Sequence, residues 1–329
     1  MLIFRYCNFR WLNPAERRVF LFTIVGSLAG QLLSGCAASR PGPVHGSYAE
    51  IPSEAPAVKV STVREGTRTR FLVENKELCE ITMTFEMNLA NLKADVALPY
   101  TATFPPGQTT EALAVDPIRT NCAWEFSYTN YYKIGSNCAH HNDGYIYQLP
   151  YAPGSKYYVT QGYNGSFSHK GSNQYAIDWE MPEGTPVHAA RGGLVVRIRD
   201  NSNIGGSSLK YDRFNNYVLI RHEDGTLGHY CHLQQGGCVV QLGQQVKAGD
   251  LLAHSGNTGF SSGPHLHFCV FRTRNGKERE SIPVRFKTAD TDSLTLVSGR
   301  SYRAPKLTSG TTTAKVATQP VGTASAPKT

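Results

Sequence analysis

The stretch Gly263-Pro264-His265-Leu266-His267-Phe268-Cys269-Val270 begins with turn-forming residues and continues as an alternation of histidines with apolar side chains. Successive side chains of a β-strand point to opposite faces. The apolar residues therefore share one face, and His265 and His267 share the other. Two histidines on one face of a strand whose other face is apolar favour a functional role over a surface or core role.

Two more stretches upstream supply side chains of the same kind. His169 lies in a turn-rich segment, and Asp178 lies on a strand-like run. Closer to the histidine pair, alternation places His232 on the same face as Tyr230 and opposite His229. A catalytic zinc ion takes three protein ligands of the His, Asp or Glu type and keeps one position open for water.

Together these stretches resemble the active-site motifs of the lysostaphin-type (LytM) zinc peptidases, peptidase family M23. The resemblance covers about residues 160–290. It includes further motifs in the family's order: Gly184-Thr185-Pro186-Val187, Gly192-Gly193-Leu194-Val195-Val196, Gly243-Gln244-Gln245-Val246 and Ser255-Gly256-Asn257-Thr258-Gly259. The resemblance implies a zinc-dependent endopeptidase that hydrolyses the peptide cross-links of peptidoglycan.

The resemblance also implies roles for five residues. His169, Asp178 and His267 correspond to the zinc ligands, and His232 and His265 stand beside the attacking water. We assign the general-base role to His265 and the oxyanion-stabilising role to His232, although the two can exchange or share them.

The sequence departs from the family pattern at the first ligand pair. Many members have H-x₃-D, whereas eight residues separate His169 from Asp178 here. We expect Gly171-Ser172-Asn173 to absorb the longer interval as a loop. His140 and His141 are the nearest rivals of His169, but they lack the surrounding motif.

The remaining candidate residues are given ordinary structural roles. We expect no catalytic part for four histidines, and Tyr163 is expected in the core or the substrate groove rather than at the reaction centre. The four are His188, His222, His229 and His254.

The sequence also contains features of three rival functions. Gly259–Gly263 fits the G-x-S-x-G motif of serine hydrolases, but that motif needs a helix after it and a strand-like run follows. A cysteine peptidase using Cys231 or Cys269 is disfavoured because disulfides can explain both residues. The third rival is a non-catalytic LytM-like module that binds the cell wall and activates a separate amidase, which the presence of all five site residues disfavours.

The composition favours an all-β fold. The chain has 329 residues, 31 of them Gly and 17 Tyr, which indicates many turns and strands. Strands are predicted at Thr69–Glu74, Glu80–Asn88, Ala123–Tyr132 and Leu194–Arg199, with a hairpin of Asn216–His222 and Leu227–Leu233 around Asp224-Gly225. We expect an antiparallel β-sheet metallopeptidase domain (LytM/lysostaphin-like) preceded by a small β-sandwich domain.

Five segments are expected along the chain. They are a signal peptide with a lipobox (1–35), a linker (36–57), a β-sandwich accessory domain (58–135), the M23-like peptidase domain with a Tyr-rich connector (136–303) and a disordered tail (304–329). In several relatives an upstream segment covers the groove, and either the accessory domain or the connector is a candidate for this.

The N-terminus predicts export and a lipid anchor. An apolar run, Val19–Leu33, is too short for a comfortable membrane span. Leu33-Ser34-Gly35-Cys36 resembles a bacterial lipobox, which would make Cys36 the lipid-bearing first residue. A plain signal peptide cut elsewhere, or an anchor helix, is the alternative. We expect a periplasmic lipoprotein, anchored through Cys36 in the outer membrane and facing peptidoglycan.

Charge and cysteine content add two expectations. The formal net charge is +8, but no dense Lys/Arg run accompanies it, so nucleic acid is not an expected partner. Six cysteines remain once the signal peptide and the lipid site are set aside, an even number suited to an oxidising compartment. We expect disulfides between Cys79 and Cys122 and between Cys231 and Cys238.

Overall fold

The computed structural model describes residues 22–25 and 57–306. Within these ranges the expected all-β class is confirmed, and the helices are two 3₁₀ turns, Gly171–Asn173 and Leu209–Phe214. No helix in the same ranges has the length and apolar character needed to cross a membrane. Cys36, most of the predicted signal peptide, the linker up to residue 56 and the tail after residue 306 lie outside the described residues.

Eight strands build the N-terminal part. They are β1 (Phe22–Val25), β2 (Val58–Glu65), β3 (Arg68–Asn75), β4 (Ile81–Ala90), β5 (Leu92–Ala94), β6 (Tyr100–Phe104), β7 (Gln108–Pro117) and β8 (Glu125–Ile134). One sheet has the order β1-β8-β4-β6 and the other β2-β3-β7-β5. Phe71, Phe85 and Phe126 are buried between the sheets, and Phe71 makes edge-on contacts with the other two rings. The two sheets therefore share one apolar core, as in a β-sandwich.

Fifteen strands follow. They are β9 (Ile146–Gln148), β10 (Lys156–Gln161), β11 (Ile177–Glu180), β12 (Pro186–His188), β13 (Gly193–Arg199), β14 (Gly205–Gly206), β15 (Tyr217–Arg221), β16 (Leu227–Cys231), β17 (Gln245–Val246), β18 (Leu251–His254), β19 (Gly259–Phe260), β20 (His265–Thr273), β21 (Arg279–Ile282), β22 (Arg285–Lys287) and β23 (Ser301–Arg303). Nine of them form one sheet, in the order β17-β13-β15-β16-β20-β11-β10-β23 with β21 also paired to β20.

Strand β20 lies in the middle of this sheet, between β16 and β11. Its apolar residues Leu266 and Phe268 are buried in the main core together with Trp179 and Tyr230. The Tyr-rich connector packs into the same core, because Tyr147 lies against Phe268. Tyr147 therefore lies on the face opposite His265 and His267, and this part of the connector does not cover the groove as expected.

The sandwich packs against the nine-stranded sheet on the same face as His267. A second apolar cluster joins Cys79 and Ile134 of the N-terminal part to Leu219 and Phe271 of the sheet. Polar contacts flank this cluster, and Arg221 makes a two-pronged ion pair with Glu80, at 2.6 and 2.8 Å. The sandwich thus covers one end of the sheet face that carries the site.

The expected disulfides are wrong, because the six cysteines of the described residues are free thiols. Cys79 is buried in the apolar cluster between the two domains, whereas Cys122 is exposed in a loop at the edge of the sandwich. Cys231 is buried on β16, and its sulfur lies 3.2 Å from Nε2 of His229 rather than against Cys238.

Candidate metal centre

Asp178 and His267 are brought together by the pairing of β11 with β20. The two residues lie directly opposite each other in the antiparallel register, on the face away from the core. Nδ1 of His267 lies 2.8 Å from Oδ1 of Asp178. Ile177 and Trp179 on either side of Asp178 are buried in the core, so alternation along β11 fixes the direction of the carboxylate.

His169 reaches the same carboxylate from a loop. Its Nδ1 lies 2.8 Å from the carbonyl oxygen of Gly162, and since a carbonyl only accepts, Nδ1 carries the proton. Nε2 is therefore a bare lone pair, and it lies 3.1 Å from Oδ2 of Asp178. The 3₁₀ turn Gly171–Asn173 absorbs the extra residues between the two side chains, as expected.

This arrangement fits a metal ion. Nε2 of His169 is fully buried without a hydrogen-bond partner, and it faces a carboxylate oxygen with no proton between them. Two buried acceptors at this distance repel each other unless a cation joins them. One ligand atom each from His169, Asp178 and His267 lies within 4.8 Å of the others, and two nitrogens with one oxygen suit zinc.

The carboxylate of Asp178 is held in its charged form. Burial alone would raise its pKa, but the charge of His267 and the hydrogen bond from its Nδ1 outweigh burial and hold the pKa well below its usual range. Burial also lowers the pKa of His267, against the opposing pull of Asp178. Asp178 is therefore a carboxylate at neutral pH, as a metal ligand must be.

Gln161, on β10, supports both Asp178 and His169. Its amide nitrogen donates to Oδ2 of Asp178 and to Oγ of Ser168, each at 2.8 Å. Its amide oxygen accepts from the backbone N–H groups of Phe167 and Ser168, at 3.1 and 3.0 Å. One side chain thus fixes the carboxylate and the loop that leads into His169. The sequence interpretation missed Gln161, because nothing in its spacing marks it.

His232 and His265 lie side by side next to His267. The ring centroids of His232 are 4.5 Å from His265 and 5.8 Å from His267. Nδ1 of His232 donates to the carbonyl oxygen of Thr258 at 2.7 Å, and Nδ1 of His265 donates to that of Gly263 at 2.8 Å. Both rings in their neutral forms therefore keep Nε2 as a proton acceptor.

The face predicted for His232 is wrong. Tyr230 is buried in the core, whereas His232 lies on the opposite side of the sheet with His265 and His267. Strand β16 ends at Cys231, and His232 adopts φ = +62°, a left-handed conformation that breaks the alternation. This turn directs the side chain of His232 toward the site. Oδ1 of Asn215 accepts a hydrogen bond from the backbone N–H of His232 at 2.8 Å, which stabilises the turn.

Burial lowers the pKa of His232 well below its usual value, and the neighbouring His265 and His267 lower it further. His232 is therefore neutral at pH 7 and accepts a hydrogen bond through Nε2. A role as donor to an oxyanion requires that His232 first take up a proton.

These side chains lie in a groove, which we define as the open face of the nine-stranded sheet around His265 and His267, with a volume of about 1440 Å³. Lys133 and Ile134 of the sandwich line one end of it. Phe167, which is 66% exposed, stacks on Phe260 at 5.7 Å between ring centroids and forms part of the rim. The groove can thus hold an extended chain across the candidate metal centre.

Three further side chains line or underlie the groove beside His267. His229 and Cys231 lie on β16, and Cys269 lies opposite His229 on β20. His229 therefore lies on the same face of the sheet as His267, although no catalytic part is expected for it. Burial raises the pKa of both thiols, that of Cys269 to about 11, which disfavours a cysteine nucleophile.

The other candidate residues named from the sequence take structural roles. The hydroxyl of Tyr163 donates to the carbonyl of Val284 and accepts from its N–H, at 2.7 and 2.8 Å. His141 bonds Asp143 and Tyr147 and lies away from the groove. His188, His222 and His254 each bond a backbone carbonyl elsewhere.

The serine-hydrolase motif has the wrong surroundings. Ser261 lies 3.1 Å from Nδ1 of His265, but that nitrogen donates to Gly263 and the serine is buried. Strand β20 follows the motif, where a nucleophile elbow requires a helix.

Comparison with known proteins supports the family resemblance over part of the chain. Residues 172–280 match the model of peptidase family M23. Asp178, His232, His265 and His267 lie inside this range, and His169 precedes it by three residues.

Two curated proteins are similar to part of this chain. An "Uncharacterized metalloprotease" of Buchnera aphidicola subsp. Baizongia pistaciae is 31% identical over 137 residues, 39% of this chain and 33% of that protein. "Peptidoglycan DD-endopeptidase ShyA" of Vibrio cholerae is 33% identical over 122 residues, 36% of this chain and 26% of that protein. The chain thus spans about a quarter to a third of the length of these relatives.

One solved structure is similar to part of this chain. A mutant catalytic domain of the prophage-encoded M23 protein EnpA from Enterococcus faecalis is 26% identical, with a TM-score of 0.31. The match covers 40% of this chain and 94% of that domain.

Proposed function

We propose that this chain is a zinc-dependent endopeptidase that hydrolyses the peptide cross-links of peptidoglycan. The observation that carries the proposal is the convergence of His169, Asp178 and His267, with a bare ring nitrogen facing a carboxylate oxygen. The match to the M23 model and the similarity to a protein named as a peptidoglycan DD-endopeptidase support it.

In this proposal His169, Asp178 and His267 hold zinc. Zinc bound by these three residues would supply an activated water near neutral pH and would polarise the scissile carbonyl. His265 takes the proton of the attacking water through Nε2, since its Nδ1 is fixed to the Gly263 carbonyl. The protonated ring can then pass the proton to the leaving amine.

His232 takes the second role beside the water. In its neutral form it accepts a hydrogen bond from the attacking water and orients it, because Nδ1 is committed to Thr258. Burial lowers the pKa of His232 and makes it a poor proton acceptor, so we assign that role to His265. If His232 is transiently protonated, Nε2–H can stabilise the oxyanion.

Metal analysis of the purified full chain tests the proposal. We expect about one zinc per chain, and loss of zinc in His267→Ala because two protein ligands hold zinc poorly. A non-catalytic activator of an amidase would instead bind cell wall without zinc. If the purified wild-type chain binds peptidoglycan but holds no zinc, the proposed enzymatic function is wrong.

We also propose that the chain is a lipoprotein of the cell envelope, attached through Cys36. This rests on the lipobox-like Leu33-Ser34-Gly35-Cys36. A Cys36→Ala variant should move from the membrane fraction to the soluble fraction of cells and lose labelling by a fatty-acid analogue. Unchanged labelling would contradict attachment at Cys36.

A further inference from the structure

Arg279 places a guanidinium group inside the groove, beyond the candidate metal centre. It lies opposite Thr273 in the pairing of β21 with β20, and Thr273 shares the face of His267. Cζ of Arg279 lies 4.6 Å from the ring centroid of Phe271, which packs on the same face. The side chain thus runs along the groove surface rather than into solvent.

One hydrogen bond fixes the direction of this side chain. Nη2 of Arg279 donates to Oδ1 of Asn173 at 2.9 Å. Asn173 belongs to the 3₁₀ turn between His169 and Asp178, so the guanidinium is anchored to the loop that carries the site. Because a guanidinium has five N–H donors, this bond leaves most of its donors available.

Arg279 differs from Arg272 of the same hairpin in lacking an acidic partner. Arg272 pairs with Glu280 at 3.2 Å. Among residues 57–306, no Asp or Glu forms an ion pair with Arg279, although it is half-buried. A half-buried guanidinium that contacts an aromatic ring and one amide is a ready site for a carboxylate, which it can bind through two parallel hydrogen bonds.

We propose that Arg279 binds a carboxylate of the substrate peptide and so selects cross-links that carry free carboxylates over neutral ones such as glycine bridges. The inference rests on the proposed function. Phe271 lies four residues along β20 from His267, or about 14 Å at 3.4 Å per residue. The recognised carboxylate therefore lies within about four residues of the scissile bond in an extended peptide.

Peptide binding to the full chain tests this site separately from catalysis. The probes are a labelled, uncross-linked stem tetrapeptide with free carboxylates and the same peptide with every carboxylate converted to a carboxamide, measured by fluorescence anisotropy. We expect the wild type to bind the carboxylate form at least about tenfold more tightly, as for a charge-assisted hydrogen-bonded pair. Arg279→Met should abolish the preference, and Arg279→Lys should keep part of it.

The matched control is Arg272→Met, which removes one positive charge from the same hairpin and should keep the full preference. A preference that survives in Arg279→Met, or that Arg272→Met reduces equally, would overturn the proposal. Equal weakening for both peptides in the Met and Lys variants would also overturn it, because that result indicates only a structural role.

Cross-linked dimers of the two peptides separate this inference from the proposed function. Cleavage of both dimers with equal kcat/KM would refute the role of Arg279 in selectivity and would still support the proposed endopeptidase activity. A carboxylate preference in binding, without cleavage of either dimer, would refute the proposed endopeptidase activity and support carboxylate binding by Arg279.

Discussion

Gln161 donates a hydrogen bond to Oδ2 of Asp178 at 2.8 Å, and through its amide oxygen it accepts the backbone N–H of Ser168 at 3.0 Å. The residue after Ser168 is His169. A single amide therefore sets the relative position of two of the three side chains proposed to hold zinc.

Replacing Gln161 should weaken metal binding without touching a ligand. We expect Gln161→Leu to lower zinc affinity about 10- to 100-fold, as is typical when a partner behind a metal ligand is removed. Competition with a chromogenic chelator measures the affinity. Gln174→Leu is the control, because the side-chain amide of Gln174 donates to Asn164 in the same loop rather than to Asp178. Equal zinc affinity in the two variants would contradict the supporting role.

Removing His265 should slow turnover and leave zinc bound. We expect His265→Ala to lower kcat by about 10²–10⁴, the usual contribution of a general base, with one zinc per chain retained. His232→Ala should also lower kcat with zinc retained. His188→Ala is the control, since His188 bonds the Gly249 carbonyl away from the groove. Normal turnover in His265→Ala or in His232→Ala would refute the role assigned to that histidine.

Burial of His222 should make folding stability depend on pH. An unfolded histidine titrates near pH 6.5, whereas burial lowers the pKa of folded His222 to about 4. Between these values only the unfolded chain binds the proton, so stability is fully present above pH 6.5 and is lost as the pH falls toward 4. The loss amounts to at most about 3 kcal/mol.

Denaturant unfolding at pH 7 and pH 4.5, with metal removed by a chelator, checks this. His222→Asn can keep a donor for the Gly192 carbonyl but cannot titrate. The variant should lose less stability than the wild type over the interval. An equal loss would show that His222 does not contribute.

The contact between the sandwich and the β20–β21 hairpin should be sensitive to one methyl group. A Cβ on Gly276 would lie 2.0 Å from the backbone oxygen of Tyr131. We expect Gly276→Ala to lower the free energy of unfolding by about 1–3 kcal/mol, the usual cost of overpacking. Gly263→Ala is the control, because its Cβ would meet no atom within 4 Å. Equal melting temperatures in the two variants would disprove close docking.

Much of the fold could be predicted because β-strands alternate. The hairpin around Asp224-Gly225 is formed by β15 and β16, and His265 and His267 point away from the core as expected. Alternation failed at His232, because the strand ends one residue earlier and a left-handed turn reverses the side chain.

Contacts between distant segments could not be predicted from local pattern. Gln161 acts through hydrogen bonds that depend on how β10 pairs with β11, and Arg279 reaches the groove only through its hairpin. The disulfide prediction failed for a similar reason. An even number of cysteines gives no information on the distances between them. Cys79 is buried, whereas Cys122 is exposed.

Digestion of purified peptidoglycan sacculi by the full chain tests the central claim most directly. With zinc supplied, mass spectrometry of the products should show cross-linked peptides converted to uncross-linked ones, and a chelator or His267→Ala should prevent the conversion. Cross-links that remain intact under zinc-replete conditions, with zinc bound to the protein, would contradict the account.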